Sequence, residues 1–217
     1  MPLKRIFEIA ICKSLIFNLK CFGIKGVKFP VLIAKKCRLN VKGSVQLCNF
    51  RFGAVKVGFG GSPAIAENAY SRFAVKKNAT IVFEGKAGIS AGNSICVDKG
   101  TLVIGNNFST NKNCLIACSK GIRIGNDVTL GWNVNVRDND GHTIVDESTG
   151  VESESKEVTI GNHVWLCAYA DVLKGTVIPD DSVVAYRSLV TKTFDRPGVL
   201  IGGAPAKILK ENIRWYY

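Results

Sequence analysis

Aliphatic residues recur at every sixth position along much of the chain. The longest run holds six without a miss: Ile160, Leu166, Val172, Ile178, Val184 and Val190. Shorter runs are Ile104, Thr110, Ile116, then Ile124, Leu130, Val136, and an interrupted one through Ile33, Leu39, Val45, Arg51 and Val57. A period of six fits neither an α-helix nor simple strand alternation. It predicts a chain wound around a triangular prism, with one short strand and one turn per hexad and each coil stacked on the next.

The periodicity also predicts the organisation of the chain. Residues 1–28, which are apolar and basic, are expected to be helical, and the stacked coils are expected over residues 29–194. A C-terminal extension with a short helix is expected over residues 195–217. The fold class is therefore all-β with short terminal helices.

The repeat breaks once, inside the stretch "NVNVRDNDGHTIVDESTG". Six residues after Val136 the next inward position is His142, one of only two histidines in the chain. The hexads then stop over residues 143–159 and resume at Ile160. The inserted sequence is acidic and polar, which predicts an excursion loop from the prism. Loops of this length in a compact domain are usually functional.

Composition and charge refine this picture. The 217 residues are 47% hydrophobic with 22 Gly, as expected for many short strands and tight turns. Of the net charge of +12, most lies in residues 1–40, where nine Lys and Arg face only Glu8. This pattern is typical of a solvated basic face or of a site for lipid headgroups or an acidic glycan. No nucleic-acid motif accompanies the charge, so nucleic acid is not an expected partner.

The first 28 residues match neither a membrane span nor a secretory signal. Charged residues at positions 4, 5, 8, 13 and 20 interrupt the apolar sequence. Each uninterrupted apolar run is therefore far shorter than the ~18 residues that a membrane span needs. A helix that packs on the domain, open to contact with a membrane surface, is the expected structure. The eight cysteines include no CxxC pair and no metal-site spacing, which favours free thiols and no bound metal. Free thiols are typical of a cytoplasmic protein. Association with the inner face of the membrane stays open.

The hexads, "DNDGH", the insert and "VTIGNHVW" together resemble the left-handed β-helix acyltransferases of the hexapeptide-repeat superfamily. The chain is most similar to bacterial sugar and polysaccharide O-acetyltransferases, from about residue 80 to 212. The resemblance implies a left-handed parallel β-helix, acetyl-CoA as co-substrate and a homotrimer with active sites between protomers. The implied reaction is acetyl transfer to a hydroxyl of a cell-surface polysaccharide sugar or its precursor.

The same resemblance implies roles for individual residues. His142 matches the general base and Asn111 the residue that contacts the acceptor. Trp165 lines the acyl-donor slot, and the backbone N–H of Ala168 matches the oxyanion donor. The remaining coenzyme contacts match Tyr186, Thr191, Lys192, Lys207 and Lys210.

The residues themselves fit direct acyl transfer. Imidazole, with a pKa of ~6.5, is suited to deprotonating a hydroxyl near neutral pH, and no cysteine nucleophile is needed. Asp140, two residues before His142, is expected to hold the imidazole tautomer. Asp138, at i−4, would share that face in an extended segment, although solvent exposure is the expected state of its side chain.

Several alternatives stay open. His142 could be a core residue, Asn111 part of a ladder of turn residues, Trp165 a cap on the core, and His163 a surface turn residue. Trp132 and Asn135 are candidates only through proximity to His142. The chain could instead be an N-acetyltransferase for an amino sugar or small amino acid, or a scaffold without catalysis. A zinc hydrolyase with three histidines is disfavoured because the chain has two.

Overall fold

The computed structural model describes residues 8–62 and 70–216, which form a left-handed parallel β-helix. Its three sheets are called here the first, second and third faces. The first face holds β1 (Val31–Ile33), β4 (Val55–Val57), β7 (Ala87–Ile89), β10 (Phe108–Thr110), β13 (Thr129–Leu130), β16 (Trp165–Leu166), β19 (Val183–Val184), β21 (Leu200–Gly203) and β22 (Ala206–Lys210). The second face holds β2 (Cys37–Val41), β5 (Ser71–Val75), β8 (Ser94–Val97), β11 (Leu115–Cys118), β14 (Asn135–Arg137), β17 (Asp171–Val172) and β20 (Leu189–Val190). The third face holds β3 (Ser44–Leu47), β6 (Thr80–Phe83), β9 (Thr101–Ile104), β12 (Gly121–Ile124), β15 (Val158–Ile160) and β18 (Val177–Ile178).

The predicted hexads form the core of the prism. All six aliphatics from Ile160 to Val190 are buried, as are Ile124, Leu130 and Val136. Corresponding residues pair in register between coils, for example Leu130 with Leu166 and Val172 with Val190. Each aliphatic therefore stacks on the same position of the neighbouring coil. The predicted fold class is confirmed. The run from Ile33 to Val57 is interrupted at Arg51 in the structure as well, because Arg51 is exposed in a turn.

Asparagine and aspartate allow several of the tight corners. The backbone φ is positive at Asn107, Asn113, Asp127 and Asn133, all between 55° and 62°. This left-handed conformation is tolerated best by Asn, Asp and Gly. Each of these polar residues immediately precedes the first core residue of the next segment, so it turns the chain toward the next face.

A helix closes the N-terminal end of the prism. The helix α1 (Ile11–Phe22) is followed by a 3₁₀ helix (Gly23–Lys28). Phe17 makes edge-to-face contacts with Phe22 and Phe73, and Asn18 exchanges hydrogen bonds with the backbone of Val31. Helical structure is therefore present over residues 11–28 of the predicted segment, where it covers the open end of the first coils, and residues 1–7 of that segment lie outside the described residues.

The predicted short helix in the C-terminal extension is wrong for the described residues. Residues 200–210 form β21 and β22, an antiparallel hairpin in which β21 continues the first face beside β19. The strand β19 belongs to the last coil, so the backbone groups on its outer edge would have no partner without another strand beside it. Pairing with β21 satisfies those backbone groups, which a helix could not do.

All eight cysteines are free thiols. Burial raises the pKa of Cys37 and Cys167 to about 11 and that of Cys114 to about 12. These three thiols stay protonated near neutral pH and pack as small apolar groups, as expected from the sequence. Within the described part of the chain, no helix has the length and hydropathy to cross a membrane.

Candidate active site

His142 lies at the corner between the second and third faces, called here the histidine corner (residues 138–142, 173–176 and 191–192). The sequence predicted an inward position for His142, and this is wrong because its side chain is exposed. The inward and outward alternation of β14 continues past Val136, so Asp138, two residues later, takes the next inward position instead. His142 then lies on the outward turn, where its imidazole is open to a ligand. No hydrogen bond or ion pair to that ring is formed by residues 8–62 and 70–216.

The burial of Asp138 is the second correction, since solvent exposure was expected. Its side chain is 0% exposed. One carboxylate oxygen accepts from the N–H of Ser119 at 2.7 Å, and the other accepts from Lys120 and Gly121 at 2.7 and 2.8 Å. A carboxylate is stable in such a site because several N–H donors replace its water.

Asp138 and its neighbour fix the two ends of the excursion. Lys156 donates its backbone N–H to the carbonyl of Asp138 at 3.0 Å, which ties the returning chain to the departing one. Asn139 donates to Asp138 and accepts from the N–H of Gly141 at 3.0 Å. The turn that carries His142 is therefore held from both sides. The excursion occupies residues 138–157, because β15 begins at Val158 rather than after residue 159.

Asp140 contacts Lys174 and Ser153. The ammonium of Lys174 donates to Asp140 Oδ2 in an ion pair, and the Ser153 hydroxyl donates to the same oxygen at 2.9 Å. The hydrogen bond from Lys174, with that from Ser153, lowers the pKa of Asp140 below its usual range. Its predicted contact with the imidazole is not among these bonds, so the orienting role of Asp140 stays a prediction.

Asn111 and Ala168 lie at a different corner, between the first and second faces, called here the amide corner (residues 111–114, 131–134, 167–170 and 185–188). Asn111 Oδ1 accepts from the N–H groups of Ser62 and Lys112 at 2.7 and 3.0 Å. The N–H of Ala168 has no hydrogen-bond partner among the described residues. A Cβ at Gly131, one coil away, would lie 2.6 Å from that nitrogen. Ala168 is buried, and glycine at position 131 therefore allows the two backbones to approach closely beside this unpaired amide.

Aromatic and basic side chains lie beside Ala168. Tyr169 and Tyr186 meet edge to face at 5.5 Å between ring centroids, and Arg187 lies over both rings. Tyr169 and Arg187 both have positive φ, which turns them outward at successive coils. Tyr186, a predicted coenzyme contact, is thus part of an exposed platform beside Ala168.

Other predicted coenzyme residues are spread over the surface. Trp165 lies partly exposed on the first face beside Trp215, with centroids 5.9 Å apart. Lys207 and Lys210 are exposed on β22 at the end of that face. Thr191 and Lys192 are exposed at the histidine corner, where Lys192 lies over the ring of Phe194.

His163 is a turn residue, as the sequence suggested. Its φ is 52°, its ring stacks on Trp215 at 4.2 Å, and its Nδ1 lies 2.8 Å from Asp181 Oδ1. Trp215 Nε1 donates to the carbonyl of His163. These contacts hold the C-terminal segment against the third corner of the prism and line a pocket of about 600 Å³.

One protomer does not bring the predicted catalytic residues together. His142 and the pair Asn111 and Ala168 lie at opposite edges of the second face. A face of about six residues spans up to ~20 Å, much further than an acetyl group reaches. Sequence reasoning also missed Gly131 and Lys174, although the glycine in "TLGW" lies at a corner and could have indicated close approach of the next coil.

No family model matches the chain. It is 34% identical over 109 residues to the galactoside O-acetyltransferase of Escherichia coli K12, which covers 50% of this chain and 53% of that protein. It is 41% identical over 95 residues to the polysialic acid O-acetyltransferase of Neisseria meningitidis, covering 43% and 44%. The chain thus spans about half the length of these curated relatives.

The fold has a counterpart among solved structures. The polySia-specific acetyltransferase NeuO superposes with a TM-score of 0.56 at 24% identity, covering 85% of this chain and 90% of that one. The resemblance to hexapeptide-repeat acyltransferases is confirmed. Among the relatives, O-acetyltransferases of sugars and polysaccharides recur, including a lipopolysaccharide biosynthesis protein of Escherichia coli that is 30% identical over 123 residues.

Proposed function

We propose that this protein is an acetyl-CoA-dependent O-acetyltransferase acting on a sugar hydroxyl of a cell-surface polysaccharide or its precursor. The observation that carries the proposal is the exposed imidazole of His142 on a turn tied down by a buried carboxylate. A ring held in this way can meet a bound hydroxyl without first breaking an internal contact. The names of the relatives, galactoside and polysialic acid O-acetyltransferases, support the acceptor class.

The proposed reaction is a direct transfer. The imidazole of His142 takes the proton of the acceptor hydroxyl while its oxygen attacks the thioester carbonyl. The N–H of Ala168 donates to the oxyanion that forms, an interaction worth ~3 kcal/mol in comparable sites. The intermediate then expels the coenzyme thiolate, which takes the proton from the imidazolium. One ester forms, one thioester breaks, and the histidine returns neutral.

The proposed catalyst is a homotrimer. Since His142 and Ala168 lie at opposite edges of one face, a neighbouring protomer must place its amide corner against the histidine corner. Symmetric closure provides this contact three times over. Part of the second face suits an interface, because its outward residues Cys96, Ala117 and Leu189 are small or apolar and only partly buried.

The coenzyme is proposed to lie along the seam between protomers. Ala168 and Tyr186 belong to the amide corner, and Thr191 and Lys192 belong to the histidine corner, so a ligand in the seam can reach both sets. Lys207 and Lys210, at the end of the prism, are suited to the coenzyme phosphates as exposed cations. The pocket at His163 lies at the third corner and takes no part in this proposal.

A thiol-release assay tests the function. Wild-type protein is incubated with acetyl-CoA and a panel of neutral, acidic and amino sugars, and free coenzyme thiol is measured. We expect release with a hydroxyl acceptor, a loss of at least about 100-fold in His142→Ala, and activity within about twofold of wild type in His163→Gln.

Three results would contradict the proposal. Release only with amino acceptors, with N-acetylated product, would make the enzyme an N-acetyltransferase. Wild-type protein that releases no thiol with any acceptor, yet binds sugar, would favour the scaffold. Equal activity in wild type and His142→Ala would remove the histidine from the mechanism.

A further inference from the structure

The helix α1 has apolar side chains on both of its faces. One face carries Ser14, Phe17 and Asn18, which are buried against the prism. The opposite face carries Ile16 and Leu19, which are 67% and 42% exposed. At 100° per residue, Cys12, Ile16 and Leu19 fall within about 60° of one another. The outward face of α1 is therefore an apolar stripe in contact with solvent.

The 3₁₀ helix that follows also exposes apolar side chains. With three residues per turn, Ile24 and Val27 share one edge and Lys25 and Lys28 share the next. Ile24 is 81% exposed and Val27 is 52% exposed. Gly26 packs directly against the backbone of α1, which holds the two helices side by side. Apolar and cationic residues thus alternate around the edge of one surface.

The charge at this end of the prism is predominantly positive, although Glu8 lies beside Lys35. Residues 9–66 include ten Lys and Arg and no Asp or Glu. Lys13 and Lys20 border the apolar stripe and donate to backbone carbonyls of β2 and its flanking residue Lys35. Lys28 is exposed at the edge. A surface of this kind is attracted to an anionic partner that can also accept apolar side chains.

We propose that residues 11–28 form a membrane docking surface, through which the protein binds an anionic lipid bilayer. The apolar residues Ile16, Leu19, Ile24 and Val27 enter the boundary between headgroups and acyl chains. The exposed lysines Lys25 and Lys28 meet the anionic headgroups. The helix lies in the plane of the interface and the prism points away from it. This inference does not depend on the proposed acetyl transfer.

The exposed isoleucines favour a bilayer over a soluble acidic glycan. A polyanion in water contacts lysines and arginines and gains nothing from Ile16 or Ile24. A second copy of the chain would bring two strongly basic surfaces together, which like-charge repulsion opposes. A bilayer is the partner that uses both the charge and the apolar residues.

Vesicle sedimentation with the full-length protein tests the proposal. The vesicles are phosphatidylcholine alone and phosphatidylcholine with phosphatidylserine at about 2:1. We expect binding to the mixed vesicles that weakens with salt. The double variant Ile16→Ser with Ile24→Ser should bind at least about tenfold more weakly, and Lys28→Gln about fivefold more weakly.

Matched controls are exposed residues far from this surface. Val151→Ser removes an apolar side chain of similar exposure from the excursion loop, and Lys99→Gln removes a lysine from a middle coil; neither should change vesicle binding. Circular dichroism checks that every variant is folded.

Three outcomes would overturn the proposal. Wild-type protein that stays in the supernatant with mixed vesicles has no docking surface. Binding that falls in Lys28→Gln but not in the isoleucine variant, and that a soluble polysialic acid competes away, would assign the surface to an acidic glycan. A concentration-dependent larger assembly that the isoleucine variant abolishes would assign it to a second copy.

Discussion

At the scale of single residues, a buried carboxylate decides where the histidine points. The hexad register gave the inward position to His142, but the strand extends by one more inward residue, Asp138, and the turn then moves outward. Three backbone N–H groups converge on that carboxylate, which makes a polar core position tolerable. The order of the residues contained no signal for this, because the donors come from the previous coil.

Replacing Asp138 tests its role as an acceptor. Asp138→Asn puts an amide NH₂ toward one of the donors and removes the charge, so we expect a loss of about 3 kcal/mol in the free energy of unfolding, measured by urea denaturation. Asp140→Asn, whose ion pair is partly exposed, should cost about 1 kcal/mol or less. Equal losses in the two variants would contradict the special role of the buried site.

The variant Gly131→Ala tests the proposed role of the Ala168 amide. In Gly131→Ala the new Cβ would lie 2.6 Å from the nitrogen of Ala168, too close for non-bonded atoms, so the backbone must shift and the amide loses its position for donating to an oxyanion. We expect kcat for acetyl transfer to fall by about 100-fold or more. In the control Gly88→Ala the new Cβ has no neighbour nearer than 4.0 Å, and activity should be unchanged. Fluorescence-monitored unfolding separates a blocked amide, where most protein stays folded, from a collapsed corner.

At the scale of elements, the six-residue repeat specifies which residues of one coil pair with which residues of the next. Each aliphatic has the same position on the neighbouring coil beneath it, so a purely local pattern specifies pairing partners 18 or more residues away. The terminal elements follow no such repeat. The C-terminal segment was expected to hold a helix, and it became the hairpin of β21 and β22 because the last coil left a strand edge to cover.

The two sides of β18 give a direct test of inward and outward positions. Ile178 is fully buried in the prism, whereas its neighbour Val177 faces outward and is only partly buried. Ile178→Ala should cost about 3 kcal/mol of unfolding free energy. Val177→Ala should cost less than about 1 kcal/mol. Similar melting temperatures for the two variants would argue against the assigned register.

At the scale of the whole molecule, the second face separates the two halves of the proposed site. If each site takes His142 from one protomer and the amide corner from the next, inactive variants should complement each other. Mixed assemblies of His142→Ala and Gly131→Ala, refolded together in equal amounts, should regain about a quarter of wild-type activity, since one site in four draws both intact halves. No recovery, despite a trimer in sedimentation analysis, would place the whole site within one protomer.

The sequence alone determined the prism, its inward aliphatic residues and the excursion that carries His142. The reason is that a repeat of six residues places equivalent side chains of neighbouring coils at the same position. Tertiary structure alone decided which side chain at the corner is buried, how the terminal strand covers an edge, and which amide stays unpaired among the described residues. Each of these depends on groups that the chain brings together from different coils, such as Gly131 beside Ala168. Spacing along the chain carries no record of such contacts until the coils are stacked.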